Sequence, residues 1–166
     1  MSAEENMRVI RTWVDAINRN DIETELSCWQ PDGEFHVIST DSTFKGIEQI
    51  KRAGEVSASY VALQPVEGRK QISNLFATAE WGCVEYHTDA TVIGPVKIKD
   101  VEIIPKGVTR TTKQLVCVIF HFRGGKFDVG REYFDTSTYA RQLGLSPTMV
   151  AELFSSFGSE SKSQVK

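Results

Sequence analysis

Between Glu4 and Asn18 the apolar residues Met7, Ile10, Trp13, Val14 and Ile17 recur at three- and four-residue spacing, which predicts an amphipathic helix with one buried face. Asn20-Asp21 supplies a stop and a new N-cap. A second short helix is expected from Ile22 to Trp29, with Leu26 and Trp29 on one side, ended by the turn chemistry of Pro31-Asp32-Gly33. A strand should then run from Glu34 to about Ser39. After Phe44-Lys45-Gly46, Ile47, Ile50 and Ala53 share one face of a third helix that starts at Ile47 and extends to Arg52 or as far as Tyr60.

From Gln71 to Asp135 the pattern changes to Val, Ile, Thr, Phe and Tyr broken at Trp81-Gly82, Gly94-Pro95, Pro105-Lys106-Gly107 and Gly124-Gly125. This predicts a meander of antiparallel strands joined by hairpins. The stretch from Ile93 to Thr111, with a Pro near each end of a polar segment, reads as a long hairpin end or flap. Helices first and strands afterwards define an α+β domain, a single curved sheet with helices packed on one face.

Composition narrows this picture. A chain of 166 residues, 40% hydrophobic and 25% charged, suits one domain, placed at 1–157, with a Ser-, Lys- and Glu-rich tail over 158–166 expected to be disordered. Lys+Arg 19 against Asp+Glu 22 gives a net charge of −3 and no pull towards nucleic acid or an anionic membrane. The longest apolar run, Leu115 to Phe120, is far below the roughly 20 residues a membrane span needs. The acidic start Met-Ser-Ala-Glu-Glu-Asn is unlike a secretion signal, so the cytoplasm is the expected location. Cys28, Cys83 and Cys117 are odd in number and widely spaced within apolar patterns, and read as small core residues. Nucleotide-binding glycine loops, HExxH and GxSxG are absent from the sequence. No metal and no cofactor are expected.

Three short helices, a first strand after Trp-x-Pro-Asp-Gly, a Phe-x-Gly before the third helix and a last strand ending Arg131-Glu132-Tyr133-Phe134-Asp135 form a characteristic order. Residues 4 to 145 resemble the cone-fold superfamily of nuclear transport factor two and ketosteroid isomerase, in its branch of SnoaL-type polyketide cyclases and limonene-epoxide-hydrolase-like proteins. The sharpest part is GKFDVGREYFDTSTYARQLG, with its aromatic-Asp pair followed by Gln142-Leu143-Gly144. The resemblance implies a strongly bent, mixed or antiparallel sheet forming a cone, N-terminal helices on its concave face around an apolar pocket, and dimerisation of two copies through the sheet. A superfold hosts many activities, so function must be argued from the pocket.

Two acids compete for a proton-transfer role. The pattern of the epoxide-hydrolase-like relatives carries that role to Glu132, and the pattern of the cyclase-like relatives carries it to Asp135. A carboxyl in an apolar pocket has its charged form disfavoured, which raises its pKa towards the range useful for acid–base catalysis. The alternatives are a surface ion pair for Glu132 and a helix N-cap for Asp135. Strand alternation also groups Glu85, His87 and Asp89 on one face, opposite Val84, Tyr86 and Thr88. Here His87-Thr88-Asp89 stands where the epoxide-hydrolase-like pattern has Arg-x-Asp, and His87 with Asp89 becomes the candidate proton partner or orienting pair; the alternative is a solvated or dimer-facing surface.

Candidate substrate contacts are Trp29, His36, Tyr60, Glu85, Gln114, Val116, Val118 and Phe134, with Trp13, Phe44 and Trp81 as further aromatic area. The expected activity is cofactor-independent isomerisation or cyclisation of a hydrophobic, carbonyl-bearing small molecule. Epoxide opening by Glu132 and Asp89, and non-catalytic binding, are the alternatives.

Overall fold

The computed structural model describes residues 2–62 and 70–157; the expected tail, 158–166, lies outside the described residues. Helix α1, Ala3–Arg19, opens with a reciprocal cap: the Glu5 N–H donates to Ser2 Oγ at 3.2 Å and the Ser2 N–H donates to Glu5 Oε2 at 2.7 Å. It closes at Asn20, whose φ of 53° is the left-handed C-cap conformation that asparagine tolerates. Its buried stripe of Asn6, Ile10, Trp13, Val14 and Ala16 packs on the sheet. Asp21 then caps α2, Ile22–Ser27, by accepting the Thr24 N–H at 3.0 Å.

The second helix ends earlier than its apolar spacing implied. Trp29 already belongs to β1, Trp29–Val37, where it pairs with Phe127, and Pro31-Asp32-Gly33 lies inside the strand at a bulge between Trp29 and Glu34 rather than in a turn. After a 3₁₀ turn at Ile38–Thr40 come β2, Ser42–Lys45, α3, Gly46–Tyr60, and β3, Val61–Ala62. The remaining strands are β4, Lys70–Ala77, β5, Trp81–Ile93, β6, Val96–Ile98, β7, Val101–Ile104, β8, Thr109–Arg123, and β9, Lys126–Tyr133. The main sheet has the order β2-β1-β9-β8-β5-β3, with β4 also paired to β5. The expected antiparallel meander holds for β5, β8 and β9, but β1 and β9 run parallel, so the sheet is mixed. Within the expected flap, β6 and β7 form a separate two-stranded hairpin.

Alternation along the long strands divides the sheet into two faces. Thr112, Gln114, Val116, Val118 and Phe120 of β8 are buried on the concave face, together with Val84, Tyr86 and Val92 of β5. Bulges in β1, β4 and at the β8–β9 pairing bend the sheet around the helices. Gly130 on β9 makes room for the deepest aromatic: a Cβ there would stand 2.7 Å from Trp29 Cη2 and 2.8 Å from Phe35 Cδ2. The Trp29 indole packs edge-on to Phe120 and Phe127, which stack with ring centroids 3.9 Å apart.

Two C-terminal helices complete the layer, α4, Thr136–Leu143, and α5, Pro147–Phe157, the latter unanticipated by its sequence pattern. The Gln142-Leu143-Gly144 motif has a physical role here. Gln142 Oε1 accepts the Lys113 N–H at 2.9 Å, Leu143 is buried, and Gly144 ends the helix at φ 72°. The motif fastens α4 across β8. Cys28 is buried as expected, whereas Cys83 and Cys117 lie half-buried on the convex face with their Sγ atoms 3.6 Å apart.

Candidate active site

A cavity of about 230 Å³ lies between the concave face and the helices. Trp13, Trp29, Phe35, Phe134, Tyr139 and Phe154 supply its aromatic walls, and Glu25, Lys70, Tyr86, Gln114 and Glu132 interrupt them. The cavity is thus predominantly apolar with a few convergent polar groups, the form expected of a small-molecule site.

Glu132 reaches this space because it alternates with Arg131 and Tyr133 on β9, opposite Val118 of β8 and Val37 of β1. The Tyr86 O–H donates to Glu132 Oε2 at 3.3 Å, and Lys70 Nζ donates to the Tyr86 hydroxyl at 3.1 Å while standing 4.3 Å from its ring centroid. Burial pushes the Glu132 pKa up, against the opposing pull of Lys70 and of the Tyr86 hydrogen bond. Burial and the neighbouring Glu132 together raise Tyr86, and burial carries Tyr139 to about 12. Tyr86 is therefore a neutral donor beside a carboxyl that holds its proton to higher pH than a surface one does.

A second acid, Glu25 of α2, lines the same cavity, and burial lifts it to about 7 against the opposing field of Lys70. The folded protein then binds more protons than the unfolded chain between pH 4.5 and about 7. Stability from this group is complete below 4.5 and is lost as pH rises through about 7. In urea titrations across that window Glu25→Gln should flatten the fall in stability. An unchanged slope would show the carboxyl to be solvated.

Several expected positions lie elsewhere. Asp135 is exposed and caps α4, accepting the Thr138 N–H at 3.0 Å; these hydrogen bonds hold its pKa low, and it does not line the cavity. Glu85, His87 and Asp89 occupy the convex face because Val84 and Tyr86, on the alternate positions, fill the concave one. There Glu85 accepts Asn74 Nδ2 at 2.6 Å and Asp89 pairs with Lys113 at 3.8 Å. His87 is exposed beside them. The sheet separates Glu132 from Asp89, so the structure does not bring together the pair on which epoxide opening was to depend.

His36 faces outward, with Nδ1 3.0 Å from Thr43 Oγ1 and Nε2 3.2 Å from Glu34. Val118 is fully buried behind the cavity wall, and Trp81 is exposed on the convex face, where its ring meets His121 with centroids 4.7 Å apart. Trp29, Gln114, Val116, Phe134, Trp13 and Phe44 do line the cavity. The Tyr60 side chain is outside the described residues.

Sequence reasoning missed Tyr86, Glu25 and Lys70. Tyr86 was readable as the large polar exception among Val84, Thr88 and Ala90. Glu25 was readable three residues after Ile22 and four before Trp29, on their helical stripe. Lys70 carries no such signal, because no periodic segment precedes it.

Among the described residues no three His, Cys, Asp or Glu side chains are grouped to hold a metal ion, and no helix is long and apolar enough to cross a membrane.

Residues 10–128 match the family described as SnoaL-like domain. Among solved structures, the chain is similar to a Shewanella denitrificans protein assigned by name only as a SnoaL-like polyketide cyclase, with a TM-score of 0.69 at 14% identity over 84% of this chain and 96% of that one. An LEH-like epoxide hydrolase from M. tuberculosis gives 0.65 at 17% identity, covering 90% and 95%. A Catenulispora acidiphila protein with a ketosteroid isomerase-like fold, in complex with trimethylamine, gives 0.65 at 14% identity, covering 84% and 94%. At these identities the likeness establishes the fold. Curated proteins give no significant match.

Proposed function

Because the chain belongs to the SnoaL-like domain family, whose scaffold serves several chemistries, we propose on the evidence of its cavity that it is a cofactor-independent isomerase or cyclase. Its substrate is a hydrophobic small molecule bearing a carbonyl group. The observation that carries this reading is the Glu132 carboxyl, buried in an aromatic-lined cavity with its charged form disfavoured and hydrogen-bonded by Tyr86.

In the reaction Glu132 removes the proton beside the substrate carbonyl, the electron pair moves into the enolate, and the proton returns at another carbon. The carbonyl itself is the electron sink. Tyr86 and Lys70 form a donor chain beside the carboxyl; as Glu132 takes up the proton, the Tyr86 O–H turns from the carboxyl to the substrate oxygen and stabilises the negative charge that develops there. The aromatic walls bind flat apolar area and exclude water, which strengthens each of these interactions.

Deuterium exchange tests this proposal. Cyclohex-3-enone in heavy water, followed by proton NMR, should lose its α-proton signal faster with the protein than without it, and Glu132→Gln should remove the acceleration. Equal exchange with and without the wild-type protein would sink the assignment.

A further inference from the structure

Glu25 enters the cavity from the helical layer, whereas Glu132 enters it from the sheet. On α2, Glu25 follows Ile22 by three residues, and both line the cavity. The Glu25 carboxyl lies against α3 where Gly54 has no side chain: a Cβ at that glycine would stand 3.7 Å from Glu25 Oε2. The two acids thus approach one enclosed space from different walls.

Their electrostatic surroundings are shared. Lys70 acts on both carboxyls, and Tyr86 feels both. Cys28, near Glu25, is pushed by burial to about 11 and stays neutral. Among the described residues Lys70 is the cation that acts on both carboxyls, and two acids sharing one ammonium in apolar surroundings favour a state in which one is ionised and the other keeps its proton. One acid is then ready to accept a proton while the other is ready to give one.

We propose that Glu25 is a second proton-transfer residue, which delivers a proton to the distant carbon of a β,γ-unsaturated carbonyl substrate after Glu132 has removed one beside the carbonyl. This rests on the reading of Glu132 above. The α C–H bond breaks, its proton goes to the Glu132 carboxylate, and its electron pair spreads through the dienolate. A new C–H bond forms at the γ carbon with the proton of the Glu25 carboxylic acid. One proton then returns from Glu132 to Glu25 through solvent, which restores the starting state. The product is the conjugated isomer, with no oxidant or reductant consumed.

The test follows cyclohex-3-enone in heavy water by NMR, reading α-proton exchange and conversion to the conjugated ketone separately. Wild type should show both, with deuterium at the γ carbon of the product. Glu25→Gln should lower conversion about 100-fold more than it lowers α-exchange. Glu25→Ala should lose conversion similarly and recover part of it with added acetate, a rescue that a purely structural role would not show. Conversion by Glu25→Gln at the wild-type rate overturns the proposal, as does a parallel loss of exchange and conversion that acetate does not restore. Failure of the Glu132 reading is distinguishable: the wild type would then exchange no α-proton, or Glu132→Gln would exchange it as fast as wild type.

Discussion

Glu132→Gln should lower turnover roughly 10²- to 10⁴-fold, the range associated with loss of a positioned acid–base group, while leaving the protein folded. Gln has nearly the shape of Glu and still accepts the Tyr86 hydrogen bond through its carbonyl oxygen, so the wall geometry is preserved. What disappears is the capacity to take up and release a proton. Stability should not fall, because the substitution removes a carboxyl whose charged form burial disfavours. Asp135→Asn is the internal comparison. Asp135 caps α4 away from the cavity, and asparagine is an equally good cap, so turnover should stay at the wild-type level. The two substitutions together, read by steady-state kinetics and thermal melting, would contradict the site assignment if Asp135→Asn were the damaging one.

Trp29→Ala should cost about 3–5 kcal/mol of folding free energy, the range for truncating a large buried aromatic. The indole is 2% exposed and meets Phe35, Phe120 and Phe127 edge-on with centroids 5.2 to 6.1 Å away. It joins the packed core to the cavity wall. Its Nε1 has no hydrogen-bond partner among the described residues, so the loss is one of packing rather than of a polar contact. Trp29→Phe, which keeps a ring and removes the unpartnered N–H, should therefore recover most of the stability. Urea unfolding of the three proteins measures both differences. A Trp29→Ala cost below about 1 kcal/mol would show that this wall is not close-packed.

The fold was legible where periodicity and burial coincide. The stripe from Met7 to Ile17, the alternation of β8 and the Gln142-Leu143-Gly144 stop all act locally, and local patterns specify them. Pro31-Asp32-Gly33 misled because its turn chemistry is absorbed into a strand bulge held by long-range pairing with β9, which no short window of sequence contains. The parallel β1–β9 pairing is invisible for the same reason. Within the site, Glu132 was identifiable from strand alternation and family pattern, but alternation alone does not say which face is concave. Glu85, His87 and Asp89 were grouped correctly on one face, yet that face is the convex one. Tyr86, on the opposite face, is the residue of this strand that meets Glu132 in the cavity. Asp135 shows the competing claim of local backbone: an Asp before Thr-Ser-Thr satisfies a helix start before it can serve a pocket.

Carbon-detected NMR titration of ¹³C-labelled Glu132, assigned by comparison with Glu132→Gln, probes this chemistry without requiring a substrate. A proton-transfer role predicts a midpoint clearly above the ordinary carboxyl value of 4.5, in keeping with burial beside Tyr86. A midpoint at or below 4.5 would mean that water or a cation holds the group as a permanent anion. The cavity would then be left as a binding site without an acid–base catalyst.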